Sequence, residues 1–134
     1  MLSTLCSIPE AIEEIKAGRI LIVIDDENRE NEGDFMVAAE RVTPEIINFM
    51  ARHGRGLICL PTTKQRLEEL DICMMVDGKT SLEDTPFTVS VDAANGVSSG
   101  VSALDRAETA RLFCNPNTTP EDFEKPGHLF PLRA

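Results

Sequence analysis

Ten consecutive residues hold the densest chemistry in this chain: Asp25-Asp26-Glu27-Asn28-Arg29-Glu30-Asn31-Glu32-Gly33-Asp34. Six are acidic, with one arginine and one glycine among them. Carboxylates crowded this closely repel one another unless a cation or a bound ligand offsets their charge. In an extended stretch Glu30, Glu32 and Asp34, spaced by two, share one face. One of them can then bind a hard divalent ion while its neighbours, their pKa values driven apart, exchange protons with a substrate. The competing reading is a solvated acidic turn. The stretch follows Ile20-Leu21-Ile22-Val23-Ile24, an aliphatic run with the length and composition of a buried strand. A loop leaving the carboxyl end of a buried strand is where α/β folds place their chemistry, and that setting favours a site.

Other chemistries fail on spacing. An EF-hand with Gly33 at its sixth position puts Asn28, Glu30 and Glu32 at the first, third and fifth, but Ala39 falls where a bidentate Glu is required. That disfavours a generic calcium module. No Walker loop, dinucleotide fingerprint or serine elbow occurs. Carboxylates and a histidine acting with a divalent ion remain. Of the two histidines, His53 in Arg52-His53-Gly54 sits where a helix C-terminus favours its charged form, a structural role. His128, set among glycine, proline and aromatic residues, is the candidate for catalysis.

Composition bounds the partners. The chain has 134 residues, 42% hydrophobic and 27% charged, with no Trp or Tyr, so one domain over 1–134 must build its core from aliphatic residues and a few Phe. A net charge of −10 argues against nucleic acid and anionic membrane as partners. An anionic substrate would have to be captured locally. The four cysteines form no CxxC pair, which argues against structural zinc and fits free thiols in the cytoplasm. No signal peptide opens the chain, and no apolar run approaches the roughly 20 residues that span a bilayer.

The surrounding elements alternate between helix and strand, predicting a mixed α+β (α/β) domain with helices packed on a mixed sheet. Ser7-Ile8-Pro9-Glu10 is a capping box opening a helix that Gly18 ends, with Ile8, Ala11, Ile12 and Ile15 as its apolar face. Phe35-Met36-Val37-Ala38-Ala39 is expected to re-enter the sheet. Thr43-Pro44-Glu45 starts a second helix, and Leu57-Ile58-Cys59-Leu60 reads as a strand closed by Pro61. Thr62 and Gln65 form a further capping box before a short helix through Leu67 and Leu70. Residues 71–86 read as a long loop with a lid or binding role, and Phe87-Thr88-Val89-Ser90-Val91 as a strand with one solvated face.

The run Val97-Ser98-Ser99-Gly100-Val101-Ser102 can either cradle an anion or cap the helix expected over 103–113. That helix carries Leu104, Ala107, Ala110 and Leu112 on or near one face. The last ten residues read as an apolar segment with nothing after it to bury Leu129 and Phe130, which suggests a sheet incomplete at the C-terminal end.

Four blocks together resemble one family. The acidic stretch, Arg52-His53-Gly54-Arg55-Gly56-Leu57-Ile58-Cys59, Gly100-Val101-Ser102-Ala103-Leu104-Asp105-Arg106-Ala107 and Pro126-Gly127-His128-Leu129-Phe130-Pro131-Leu132-Arg133-Ala134 are similar, in order and spacing, to 3,4-dihydroxy-2-butanone 4-phosphate synthase. The resemblance implies a lyase of riboflavin biosynthesis that takes ribulose 5-phosphate to formate and the butanone phosphate, using Mg2+ or Mn2+ as a homodimer. It implies that Glu30 binds metal and also meets substrate. Arg29 and Asp34 contact substrate, Glu32 and Asp34 belong to the catalytic site, and His128 resembles the histidine essential to catalysis. Cys59 and Ser99 line the site, Ser99 standing where threonine is common. The family continues past this point with a His-Thr-Glu block that supplies a second metal ligand and the main phosphate grip, and a cyclohydrolase is fused downstream in some members. The alternative to an active enzyme is a truncated remnant that only folds or dimerises.

Overall fold

The structure, a computed structural model, describes residues 5–78 and 85–134. Helix α1 (Ile8–Lys16) opens on the expected capping box, with Ser7 N–H donating to the Glu10 carboxylate and Glu10 N–H to the Ser7 hydroxyl. Gly18, at φ +77°, turns the chain out of it. Strands β1 (Leu21–Ile24) and β2 (Gly33–Met36) then pair antiparallel, Ile24 opposite Gly33, with the acidic loop at the tip.

Strand and helix form where expected, but their burial does not. Ile22 is 68% exposed and Ile24 56%, and α1 buries none of its residues. The cause is topological: β1 and β2 form a two-stranded sheet of their own, so β2 does not re-enter the main sheet. The ribbon is tied on through Phe35, whose ring packs 5.2 Å from that of Phe49.

The main body follows. A 3-10 turn (Ala39–Arg41) leads to α2 (Pro44–Phe49), which Thr43 caps by accepting the Ile46 N–H, and a π-helical turn (Met50–Gly54). Next come β3 (Cys59–Thr62), α3 (Lys64–Glu69), β4 (Val91–Ala93), α4 (Ala103–Cys114) and β5 (Phe123–Arg133). The sheet order is β3-β5-β4, with β3 parallel and β4 antiparallel to β5. This is the mixed sheet carrying helices that alternation of signals predicts. Its core joins Ile47 of α2, Val91 of β4, Ala107 and Ala110 of α4, and Leu129 of β5.

Several local expectations shift. Strand β3 runs through Pro61, which an edge strand tolerates because one side needs no N–H. Thr63 rather than Thr62 caps α3, while the Thr62 hydroxyl donates to the Leu60 carbonyl. Before Val91 only isolated bridges form, at Phe87 and Thr88, and Thr88 and Ser90 are buried, so no solvated face exists there. Helix α4 buries Asp105 and Thr109 alongside Ala107 and Ala110, and leaves Leu104 exposed. The largest shift is β5: the expected loose end is the central strand, and Leu129 is fully buried.

Of the loop expected over 71–86, residues 79–84 lie outside the described residues, and with them the lid reading. Among the described residues no helix is long and apolar enough to cross a membrane.

Candidate active site

The acidic loop folds around one of its own carboxylates. Asp25 accepts the N–H groups of Glu32 at 2.8 Å and Glu30 at 3.0 Å, and the Arg29 guanidinium at 2.9 Å. Asp26 accepts the Asn28 N–H at 2.8 Å, an Asx turn. Asn31, at φ +52°, completes the reversal. Two acidic residues are thus structural, and Glu30 and Glu32 are left facing solvent. Because Glu30 lies in a turn and Asp34 in β2, the expected extended face does not form. Among the described residues no three His, Cys, Asp or Glu converge as a metal cluster.

The Glu32 N–H, ahead of the Glu30 N–H and Arg29, holds the Asp25 carboxyl below its usual range, outweighing partial desolvation. A depressed folded pKa means that the loop's stabilisation is complete above the unfolded value and is lost as pH falls through the folded one. The side-chain carboxyl 13C resonance of Asp25 should therefore titrate below the ordinary carboxylate range, and the amide resonances of Glu30 and Glu32 report the bonds it accepts. In Asp25→Asn they should already be displaced at pH 7, because an amide offers one acceptor oxygen where the carboxylate offers two.

Between the ribbon and the β3–β5 side of the sheet lies a cleft of about 620 Å³. Asp34 and Cys59 both line it, among Phe35, Met50 and Leu129. Burial pushes the Cys59 thiol up from its ordinary value, and the Asp34 charge pushes it further. A thiol so placed is a proton donor and a poor nucleophile. Iodoacetamide at pH 7.5 should alkylate exposed Cys73 well before Cys59, and Asp34→Asn should accelerate the Cys59 reaction, as peptide mapping would read.

His128 is built differently. The register of β4 on β5 jumps from Val91–Leu129 to Asp92–Glu124, and this irregularity sets His128 beside Asp92. Asp92 accepts the His128 N–H at 2.8 Å through Oδ1 and contacts the ring Nδ1 at 2.7 Å through Oδ2. Asp92 is nearly buried, whereas the imidazole is about half exposed. A carboxylate there accepts a hydrogen bond from Nδ1–H, which in the neutral ring leaves Nε2 as the base nitrogen. Glycines make the fit possible: a Cβ on Gly127 would lie 2.1 Å from the Val91 carbonyl carbon, and one on Gly100 2.0 Å from Asp92 Oδ2.

The run before α4 resolves as a cap. Ser102 accepts the Asp105 N–H, and the hydrogen-bond donors of the preceding turn are taken by the chain's own Asp105 carboxylate. Burial pushes the Asp105 carboxyl up, but the Ser98, Ser102 and Gly100 hydrogen bonds outweigh it and hold it below its usual range. Ser99 stands exposed, next in the chain to the Gly100 that packs on Asp92. His53, at the end of the π-helical turn, packs its ring 4.6 Å from Phe49 and also lines the cleft with Asp34 and Cys59.

The chain therefore carries two groups of site residues. Arg29, Glu30, Glu32, Asp34 and Cys59 belong to the ribbon tip and the cleft. His128 belongs to the β4 side of β5 and is not among the residues lining that cleft. Among the described residues the hydrogen bonds and ion pair of His128 go to Asp92, and none joins it to the acidic loop. Sequence reasoning also missed Asp92, whose signal was an acidic residue wedged between Val91 and Ala93-Ala94 at a strand end.

Comparison with known proteins converges on one family. The family model described as 3,4-dihydroxy-2-butanone 4-phosphate synthase matches residues 9–134. The riboflavin biosynthesis protein RibBA of Cytophaga hutchinsonii is 57% identical over 129 residues, covering 96% of this chain and 32% of that protein. RibBA of Synechocystis is 55% identical over 130 residues, 96% of this chain and 23% of that one. A crystal structure of 3,4-dihydroxy-2-butanone 4-phosphate synthase in complex with two magnesium ions superposes with a TM-score of 0.94 at 45% identity, over 97% of this chain and 61% of that one. The cation-free form gives a TM-score of 0.89 at 44% identity, over 98% of this chain and 60% of that one. The chain spans about a third or less of the curated relatives cited and about three fifths of these solved structures. On the match over 9–134 and the shared fold, the chain belongs to the 3,4-dihydroxy-2-butanone 4-phosphate synthase family.

Proposed function

We propose that this chain takes part in the lyase reaction converting ribulose 5-phosphate to 3,4-dihydroxy-2-butanone 4-phosphate and formate, in the cytoplasm. The observation that carries the reading is the imidazole of His128, held at Nδ1 by a nearly buried carboxylate while half of the ring faces outward. Removing a proton beside a ketone, expelling water, shifting the carbon skeleton and releasing formate require several proton transfers at one place. His128 Nε2 is a base for the first of them. Cys59, kept as a thiol, can return a proton, and the charged Asp34 beside it can accept one and pass it on.

Glu30 fits a hard divalent cation, Mg2+ or Mn2+. Glu30 is exposed at the loop tip, and its carboxylate meets the Arg29 guanidinium at 3.5 Å. Such an ion needs only one or two protein carboxylates and keeps several waters. When bound it supplies Lewis-acid polarisation of the substrate's oxygens. Arg29, two-thirds exposed beside Asp25, can meet the negative charge of a sugar phosphate that the acidic chain as a whole repels.

The reading includes a homodimer, in which a second copy would bring its His128 to the first copy's loop and cleft; it is supported by His128 not being among the residues that line the cleft. Purified chain incubated with ribulose 5-phosphate and Mg2+ should release formate, and Glu30→Ala should lower that release by about 10²-fold or more. Mixing Glu30→Ala with His128→Ala should restore part of the activity if sites are shared between copies. Well-folded chain that releases no formate under any of these conditions would overturn the reading.

A further inference from the structure

Two carboxylates, not one, stand behind His128. Asp105 is only 2% exposed, in the first turn of α4, and its side chain points back over the preceding turn. It accepts the Ser98 hydroxyl at 2.9 Å, the Gly100 N–H at 3.0 Å and the Ser98 N–H at 3.3 Å. Its own carbonyl accepts the Thr109 hydroxyl at 3.0 Å, and Thr109 Oγ1 in turn accepts the Ala93 N–H at 2.9 Å. Asp105 thus links the turn over 98–100, helix α4 and the end of β4 into one hydrogen-bonded unit.

The turn held in this way is the wall against which Asp92 rests. Gly100 is buried at φ +84°, a conformation side chains disfavour, and its backbone leaves no room for even a Cβ before Asp92 Oδ2. That oxygen is the one on His128 Nδ1. On the other side Gly127 lies against Val91 and Asp92, and its N–H donates to the Ser90 hydroxyl at 3.1 Å. The Asp92 carboxylate is therefore held by the His128 backbone N–H at Oδ1 and by the Gly100 backbone against Oδ2, and the turn that carries Gly100 is itself tied down by the buried Asp105 side chain. We infer that Asp105 is a positioning residue for His128: by fixing Gly100 it keeps Asp92 Oδ2 on Nδ1 and so keeps Nε2 as the base nitrogen. Neither the hydroxyl-rich turn nor Asp105 touches the cleft. The effect runs through Asp92 alone.

The inference rests on the proposed role of His128, and its test separates the two. Side-chain 15N NMR of His128 reads the ring tautomer directly, without any need for turnover. The wild-type chain should give the Nδ1–H form. Asp105→Asn keeps the size of the side chain but sets an NH2 against one of the three donors, so the turn should shift and the tautomers should mix. In protein that releases formate, the same variant should lose about 10²-fold in kcat, as expected for a small misplacement of a reacting group, with KM for ribulose 5-phosphate moving far less. A folded Asp105→Asn chain whose His128 keeps the wild-type tautomer overturns the inference. If Asp105→Asn does not fold, Ser98→Ala carries the test: it deletes the shortest of the three bonds at an exposed residue. Tautomer mixing there supports the inference, and an unchanged ring overturns it. Loss of formate release in wild type with the tautomer shift intact would instead sink the proposed function and leave the positioning role standing.

Discussion

Turnover in the Asp92→Asn variant should fall by about 10²- to 10⁴-fold, with little change in KM. The argument is one of donors and acceptors. Asp92 accepts twice from His128, at the backbone N–H and at Nδ1. An asparagine amide can accept once and must donate at its other atom. If its oxygen stays on the backbone N–H, its NH2 faces Nδ1, which must then accept, and the ring proton moves to Nε2. The base nitrogen is lost without any change of shape. If the amide turns over instead, its NH2 meets the His128 N–H, two donors confront each other in a nearly buried place, and the strand pairing around Asp92 weakens. Either way the imidazole is wrongly protonated or wrongly placed. Formate release by the folded variant, with folding checked by urea unfolding, measures the loss. Unchanged turnover would remove His128 from the reaction.

The chemistry and the local elements were more legible in the sequence than their arrangement. Caps were read correctly at Ser7 and Thr43 because capping is decided within four residues. The acidic stretch was recognised, but its inner division was not. Which carboxylate would fold the loop depends on where the chain reverses, and Asp25 has that place only because Asn31 adopts a left-handed conformation. Asp92 and His128 lie 36 residues apart and meet only because the pairing of β4 on β5 is irregular. Strand propensity in 20–24 was correct, yet burial of that strand is a property of what packs on it, and Ile22 shows that the main sheet does not. The opposite error occurred at β5. Pro126, Gly127 and Pro131 argue against a central strand, but Gly127 sits at the irregular register where close approach to β4 requires it, and the Pro131 carbonyl still accepts the Thr88 N–H and hydroxyl.

That reversal of the two strands sets up the largest expected effect on stability. Leu129→Ala should cost about 2–5 kcal/mol, the range for deleting a fully buried leucine and leaving part of its volume empty. Leu129 is 0% exposed, lies opposite Val91 in the sheet and belongs to the core that joins α2 and α4 to the strands. No side chain near it can swing in cheaply, because its neighbours on both sides belong to packed strands. Against a total of about 5–15 kcal/mol for a typical domain, this one change can remove a third of the stability or more. Ile22→Ala is the matched comparison: an aliphatic strand residue, but 68% exposed, so its truncation should fall within about 0.5 kcal/mol of neutral. Urea midpoints of the two variants should therefore separate widely, with Leu129→Ala far to the low side and Ile22→Ala near the parent. Should Ile22→Ala prove as costly as Leu129→Ala, the ribbon is covered in solution by another polypeptide surface, and the acidic loop at its tip would then lie close to an interface.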